Sequence, residues 1–421
     1  MQLSHITISC KKNGLQRRSD ALLSLCLLTV LVCCLVPYFL AAQQSSPQVS
    51  NTAPHNFSDT HHDDFSRLEK HLDKLFRDSL VRFDGGCALL LAHDGKIVFD
   101  KGYGSVSSDS VLPIASASKW LASALLMTFV DEHKISLSDP IGKYLRYLSG
   151  TKATITVRQL FSHTSGFAGE IPVMRNTSLT MKNAVYAICQ ERLKYKPGTA
   201  FAYGGASMQI GGRIVEIVGG KSWEQLFQER IARPLGMTHT TFYGLGVTEN
   251  PLVAGGAKSS ARDYLRFVQM IANKGVWQGK RILSEQAIAE MMSNHAGYLP
   301  VLKQYQQTHS DLTGTGEKAN YGIGVWRLCM EPIGSVPQPF DLIDISSQGR
   351  LGFTPWYDVR RNIIGILATA TPLRKMNPTY RSLKKAIRET VPVSPLLIAA
   401  QQAHQMATSA TFVNPMPHRK R

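Results

Sequence analysis

Two hydrophobic rhythms alternate along the chain. In DDFSRLEKHLDKLFRDSL, the apolar residues Phe65, Leu68, Leu72, Leu75 and Phe76 recur at helical spacing, which predicts one amphipathic helix. CALLLAH and KIVFDKGYG follow as two strand-like runs joined by Asp94-Gly95, a strong hairpin signal. From about residue 117 to 290 helical periodicity dominates, as in SWEQLFQERI and SARDYLRFVQMIANKG. Strand patterns then return in NYGIGVWRL, FDLIDISS, GFTPWYDV and NIIGILATA. Residues 391–421 lose periodicity and end in PMPHRKR.

That order implies a fold class. Strands at both ends with helices between predict an α/β protein of the α+β type. Its sheet would be mixed, mostly antiparallel and flanked by helices, with a helical subdomain inserted between its halves. A crevice between the two parts is a natural ligand site.

The amino terminus departs from this pattern. Residues 21–42, ALLSLCLLTVLVCCLVPYFLAA, carry no charge and follow a basic segment, as a signal peptide or signal anchor does. The run is long enough to span a bilayer, which takes about 20 residues. Phe39 and Leu40 stand where a cleavage site wants small residues, which favours an uncleaved anchor. Lys and Arg before it would hold that end in the cytoplasm and export the rest, giving a periplasmic or secreted protein that meets the membrane through residues 21–42. Residues 43–62 read as a polar linker, 63–390 as one domain and 391–421 as a tail.

Composition changes the picture little. The chain has 421 residues, 43% hydrophobic and 18% charged, as a folded protein does. Its formal charge is +17, but Lys11, Lys12, Arg17 and Arg18 near one end and Arg419, Lys420 and Arg421 at the other carry seven of those charges. The remaining +10 is scattered without a basic run or aromatic–basic array, which argues against a nucleic-acid partner. Outside the leader three cysteines remain, Cys87, Cys189 and Cys329; their spacing suits no zinc site, and at most one disulfide could form. Buried small hydrophobes is the better reading of them. Asp131, Glu132 and His133 sit side by side, but adjacent helical residues point in different directions, so no metal site is expected.

A serine followed three residues later by a lysine occurs four times: Ser9/Lys12, Ser116/Lys119, Ser149/Lys152 and Ser382/Lys385. Context separates them. Ser9 lies in the leader and Ser149 in a turn, while Ser382 sits in a helix where Lys384, Lys385 and Arg388 look like a solvated face. Ser116 follows VLPIA and opens the apolar run WLASALLMTFV. At a helix start residues i and i+3 share a face, so the Lys119 amine can reach the Ser116 hydroxyl. Burial lowers a lysine pKa from about 10.4 and makes it a base. The plainer alternative is a serine cap with a surface lysine.

Several ordered blocks extend this stretch. They are SASK at 116–119, ISLSDPIGKYL at 135–145, VRQLFSHTSGF at 157–167, PGTAFAYGGASMQIGGRIVE at 197–216, PLGMTHTTF at 234–242 and YGIGVW at 321–326. With them the sequence resembles the serine β-lactamase and penicillin-binding-protein superfamily, in its class C-like branch, over roughly residues 64–390. The resemblance implies the β-lactamase/transpeptidase-like fold and an acyl-enzyme mechanism without cofactor or metal. It implies Ser116 as nucleophile, with Lys119 and Tyr203 managing the proton.

The resemblance also marks two departures. The family's tyrosine–x–asparagine motif ends here in Gly205, so the amide that contacts peptide-like substrates is absent. The lysine- or histidine-led triplet is matched by Ser347-Gln348-Gly349, without its cation, and Arg350 is a possible substitute. Gly349 would let the backbone approach a ligand, and the amides of Ser116 and Arg350 would form the oxyanion hole. His163 in SHTSGF lacks the Gly-x-Ser-x-Gly context of a serine–histidine enzyme, and the family uses this block as a structural turn. These departures favour a small ester or amide as substrate over a penicillin. A D-alanyl-D-alanine peptidase acting on cell-wall-derived peptide, a weak β-lactamase or a non-catalytic sensor domain are the other readings.

Overall fold

The computed structural model describes residues 59–303, 320–329 and 342–395, together with Ile398. The chain divides into two units, Met1–Asp59 and Thr60–Arg421, and the fold is that of the second. The expected leader and most of the linker and tail lie outside the described residues. Among the described residues no helix is long and apolar enough to cross a membrane.

Helix α1 (Asp59–Ser79) leads into strands β1 (Gly86–His93) and β2 (Lys96–Gly104). Asp94 and Gly95 between them both take positive φ, 48° and 79°, as a tight two-residue hairpin requires. The two-residue strand β3 (Leu112–Pro113) precedes helix α2 (Ser118–Asp131), and helices α3 (Met181–Gln190) and α4 (Ala206–Gly219) follow. Strand β4 (Lys258–Ser259) pairs with β3 immediately before helix α5 (Ala261–Ala272). A small hairpin, β5 (Val276–Trp277) and β6 (Lys280–Arg281), follows it. The chain closes with β7 (Trp326–Cys329), β8 (Leu342–Ser346), β9 (Thr354–Asp358), β10 (Ile363–Ala368) and helix α6 (Leu373–Thr390).

The main sheet runs β2-β1-β10-β9-β8-β7, and each of its described pairings is antiparallel. The join of the two chain ends is the β1–β10 pairing, with Ala88 opposite Ala368 and His93 opposite Ile363. Side chains of β1 alternate between two cores, as the strand period of two demands. Ala88, Leu90 and Ala92 face the helical subdomain, where they join Trp120, Phe267 and Ile366. Cys87, Leu89 and Leu91 face the outer layer and pack with Leu72 and Phe76 of α1 and Leu383 and Ile387 of α6. Both faces are covered, which is why CALLLA reads as continuously apolar. Cys87 and Cys189 are free buried thiols.

Two expectations need correction. NYGIGVWRL becomes a strand only from Trp326; before it Tyr321 makes an isolated antiparallel bridge back to Trp326, and Gly324 packs against α2. A Cβ at Gly324 would lie 2.0 Å from Ser123 Oγ and 2.7 Å from the Lys119 carbonyl oxygen. The face of α6 with Lys384 and Arg388 is not solvated. Lys384 is only 7% exposed and pairs with the buried Asp344 of β8 at 2.8 Å, and Arg388 reaches the same carboxylate at 2.7 Å. Lys385 does stay exposed. The helix lies on the outer sheet face, so cations next to its apolar stripe meet the sheet's carboxylates before they meet water.

Candidate active site

The segment before α2 makes the nucleophile turn. Ala115–Ala117 form one turn of 3₁₀ helix that runs directly into α2, and Ala115 takes φ 44°, a strained value for a residue with a Cβ. The surroundings hold that turn firmly. The Ser118 hydroxyl donates to the Ala115 carbonyl at 2.6 Å, and the Tyr264 hydroxyl donates to that of Ala117 at 2.7 Å. The Ile114 amide donates to Ala257 O at 3.0 Å, continuing the β3–β4 pairing. Helix α2 is buried almost all round, from Ser118 to Phe129, so its first turn is an immobile base for Ser116 and Lys119.

Lys119 is 3% exposed. Its Nζ donates to Ser116 Oγ at 3.0 Å and to the Ala254 carbonyl at 2.9 Å. Burial pushes its pKa down to about 7; the nearby Glu170 carboxylate opposes the shift and Arg175 adds to it. A sizeable fraction of this amine is therefore neutral near pH 7, with a lone pair available to the serine hydroxyl. The i, i+3 spacing at a helix start thus gives the expected contact, and the surface-lysine alternative fails on burial.

Tyr203 lies on the other side of the amine. Lys119 Nζ is 4.7 Å from its ring centroid. The phenol's pKa is pushed up to about 12, first by burial, with contacts to Ser116 and Trp326 pulling it back. Tyr203 therefore stays a neutral phenol, and Lys119 is the base available near pH 7. Beneath them the His163 ring packs edge-on against Tyr203 at 4.9 Å and its Nε2 lies 3.3 Å from the Tyr321 hydroxyl. Burial, with Lys119 close by, holds this imidazole well below its ordinary pKa, so it is neutral. His163 also takes φ 59° and is a turn residue under the tyrosine, as the SHTSGF block suggests.

Ser116, Lys119, Tyr203, Gly205 and Arg350 come together around one cleft of about 450 Å³. Ser116 and Arg350, whose amides are the expected oxyanion donors, thus both face this cleft. The remaining expected positions do not line the cleft. Ser347 is buried and its hydroxyl donates to the Ser116 carbonyl at 2.9 Å. Gly349 approaches the chain itself: a Cβ there would lie 2.3 Å from the Ile114 carbonyl oxygen. Gln348, just past the end of β8, lines a separate cavity of about 430 Å³ beside Asp344 and Lys384.

The sequence did not announce four cleft residues. Glu170 and Arg175 form a 2.7 Å ion pair at the rim, Met174 lies between them in sequence, and Ala254 supplies the carbonyl that holds Lys119. They lie far from the SASK stretch, Glu170 and Ala254 on loops and Met174 and Arg175 in one 3₁₀ turn (Pro172–Arg175), where no periodicity marks them. Asp131 and Glu132 are occupied separately, Asp131 by the Ser284 amide and hydroxyl and Glu132 by Arg230.

An antiparallel sheet flanked by helices, with a serine and a buried lysine at the start of the central helix, defines the serine–lysine class of the β-lactamase and transpeptidase fold. The chain belongs to the β-lactamase family, whose profile Beta-lactamase matches residues 76–326. A solved structure of a candidate β-lactamase from Bacteroides dorei DSM 17855 is similar with a TM-score of 0.66 and 30% identity. That match covers 77% of this chain and 98% of that one. Protein flp of Staphylococcus aureus (strain MW2) is 28% identical over 172 residues, 37% of this chain and 34% of that protein. Teichoic acid D-alanine hydrolase of Staphylococcus aureus is 30% identical over 185 residues, 41% of this chain and 44% of that protein. The chain thus spans less than half the length of these curated relatives.

Proposed function

We propose that the protein is a serine hydrolase that works through an acyl-enzyme on a small ester or amide, with esterase-like preference. The observation that carries this reading is the buried Lys119 amine 3.0 Å from Ser116 Oγ, at the wall of an open cleft. Neutral Lys119 takes the hydroxyl proton as Ser116 Oγ bonds to the substrate carbonyl carbon. The amides of Ser116 and Arg350 receive the charge that develops on the carbonyl oxygen. When the bond to the leaving group breaks, the proton passes from Lys119 through the Tyr203 hydroxyl to that group. Water then adds to the acyl carbon, gives a proton back along the same route and frees Ser116, so one hard step becomes two easier ones.

The absence of a side-chain amide at Gly205 and of a cation at Ser347 favours an ester over a penicillin. The relative named for hydrolysis of D-alanine on teichoic acid keeps a D-alanyl compound as the second substrate reading. It also supports an extracytoplasmic place of action, in keeping with the basic-then-apolar residues 1–42. Labelling with a fluorophosphonate tests the mechanism: the adduct is expected on the SASK peptide and absent in Ser116→Ala. An adduct on Ser149 or Ser382, or undiminished turnover in Ser116→Ala, overturns it. Fusion of residues 1–60 to a periplasmic reporter tests location, with export to the membrane fraction expected. A reporter left in the cytoplasm overturns that part.

A further inference from the structure

The place where a side chain at position 205 would project is already occupied by another residue. A Cβ built on Gly205 would lie 3.0 Å from Met174 Cε, 3.3 Å from Met174 Sδ and 3.3 Å from Ala254 Cβ. Ala254 is the residue whose carbonyl holds Lys119, and Met174 and Lys119 line the same cleft. Met174 is 1% exposed and lines the cleft as its floor. Its backbone is fixed: Asn250 Nδ2 donates to the Met174 carbonyl at 3.3 Å and to that of Asn176 at 3.0 Å. Gln209 of α4 in turn donates to Asn250 Oδ1 at 2.8 Å. The backbone is clamped while the thioether, unbranched and polarisable, can adjust to what lies on it.

Besides the charged Glu170, Arg175 and Arg350, the cleft has apolar lining. Leu252 and Leu351 line the cleft, and Leu245, 55% exposed, stands at its mouth. In a two-step reaction the leaving group must depart through the open mouth, while the acyl group stays bonded to Ser116 until water arrives. The enclosed side therefore belongs to the acyl group. A thioether and two leucines offer no hydrogen bond to an acylamino substituent but remove a short alkyl chain from water, at roughly 25 cal/mol per Å² of apolar surface.

We propose that Met174 is the residue that sets acyl specificity, closing the floor beside Gly205 so that the cleft takes a short, unbranched apolar acyl group. This inference rests on the serine-hydrolase reading. The test is labelling of the full chain with methyl and hexyl p-nitrophenyl phosphonates. In this reaction Ser116 Oγ bonds to phosphorus, p-nitrophenolate leaves with the bonding pair, and the hydroxyl proton goes to Lys119. The second-order rates are read from p-nitrophenolate release, with the adduct site checked by mass.

The parent is expected to prefer the methyl probe. Met174→Ala, which opens the floor, is expected to raise the hexyl-to-methyl rate ratio at least about tenfold, the low end for a change of one methylene in an apolar pocket. Met174→Phe should lower it. Met174→Leu conserves volume and should leave it within about twofold, so a variant that folds is available whatever the fate of the others. If the ratio moves with Met174→Leu as far as with Met174→Ala, or with neither Ala nor Phe, the inference falls. If Ser116 takes up neither probe in the parent, the serine-hydrolase reading falls and this inference with it.

Discussion

The Ser347 hydroxyl donates a 2.9 Å hydrogen bond to the backbone carbonyl of Ser116, 231 residues earlier in the chain. One strand end thereby grips the nucleophile turn, and Gly349, pressed against the Ile114 carbonyl, keeps the grip close. The hydrogen bond predicts a positioning role for Ser347, exerted through the turn. Ser347→Ala should cost about 1 kcal/mol of stability, the usual net worth of one hydrogen bond. It should also lower kcat at least about threefold with little change in KM, because the turn it steadies carries the reacting atom. Ser347→Thr keeps the hydroxyl and should restore kcat. Steady-state kinetics of the two variants decide the matter, and an unchanged kcat in Ser347→Ala would remove the positioning role.

What was legible in the sequence follows from distance along the chain. The Asp94-Gly95 hairpin, the SARDYLRFVQMIANKG helix and the Ser116/Lys119 pair are local, and periodicity or turn chemistry over a few residues specifies them. The contact that fixes Lys119 crosses 135 residues to Ala254, and Met174 meets Gly205 through space; neither leaves a local signature. Ser347 and Gly349 are marked by motif, but their contacts with the nucleophile turn, to the Ser116 carbonyl and against that of Ile114, leave no local signature. Lys384 looked solvated because a lysine on a helix usually is, and only the tertiary placement of Asp344 reverses that.

The Asp344–Lys384 pair gives a prediction about stability. Both side chains are nearly buried, at 6% and 9% exposure, and Arg388 shares the carboxylate. Asp344→Ala leaves a buried ammonium without its partner and should destabilise the protein by roughly 3–5 kcal/mol. Lys384→Met removes the ammonium and keeps Asp344 paired with Arg388, so its cost should be clearly smaller. Urea denaturation of the two variants measures both. Equal losses would mean that the pair adds nothing beyond packing.

Lys119 predicts the pH profile. Its folded pKa is lowered to about 7, so the neutral, basic form gains population as pH rises through 7. kcat/KM should climb by about tenfold per pH unit below that value and level off above it. Tyr203, at about 12, ionises too late to bring a fall at ordinary alkaline pH. The same shift sets a stability trend: the unfolded lysine binds its proton more readily than the buried one. This site therefore favours folding at high pH, and that contribution is lost as pH falls from the ordinary lysine range towards 7. Lys119→Arg keeps a cation but supplies no neutral amine, and should lose at least about 100-fold in rate together with the ascending limb. A near-normal rate in that variant would return Lys119 to a structural role.

The choice of substrate rests on what the cleft lacks. Gly205 offers no amide to an acylamino group, and the buried Ser347 offers no cation to a penicillin carboxylate. A group whose partner is missing from the site gains nothing from binding there, whereas a short activated ester needs only the nucleophile, the base and the oxyanion donors. kcat/KM for p-nitrophenyl acetate or butyrate should therefore exceed that for a chromogenic cephalosporin by at least about tenfold, or about 1.4 kcal/mol of transition-state binding. Restoring the asparagine is not a simple addition, because a Cβ at position 205 already comes within 3.0 Å of Met174 Cε. Gly205→Asn alone must push the thioether aside, so it should narrow the gap less than Gly205→Asn combined with Met174→Ala. Faster cephalosporin turnover by the parent protein would reverse the order of substrates. A double variant no better than the single one would separate the gap from the missing amide.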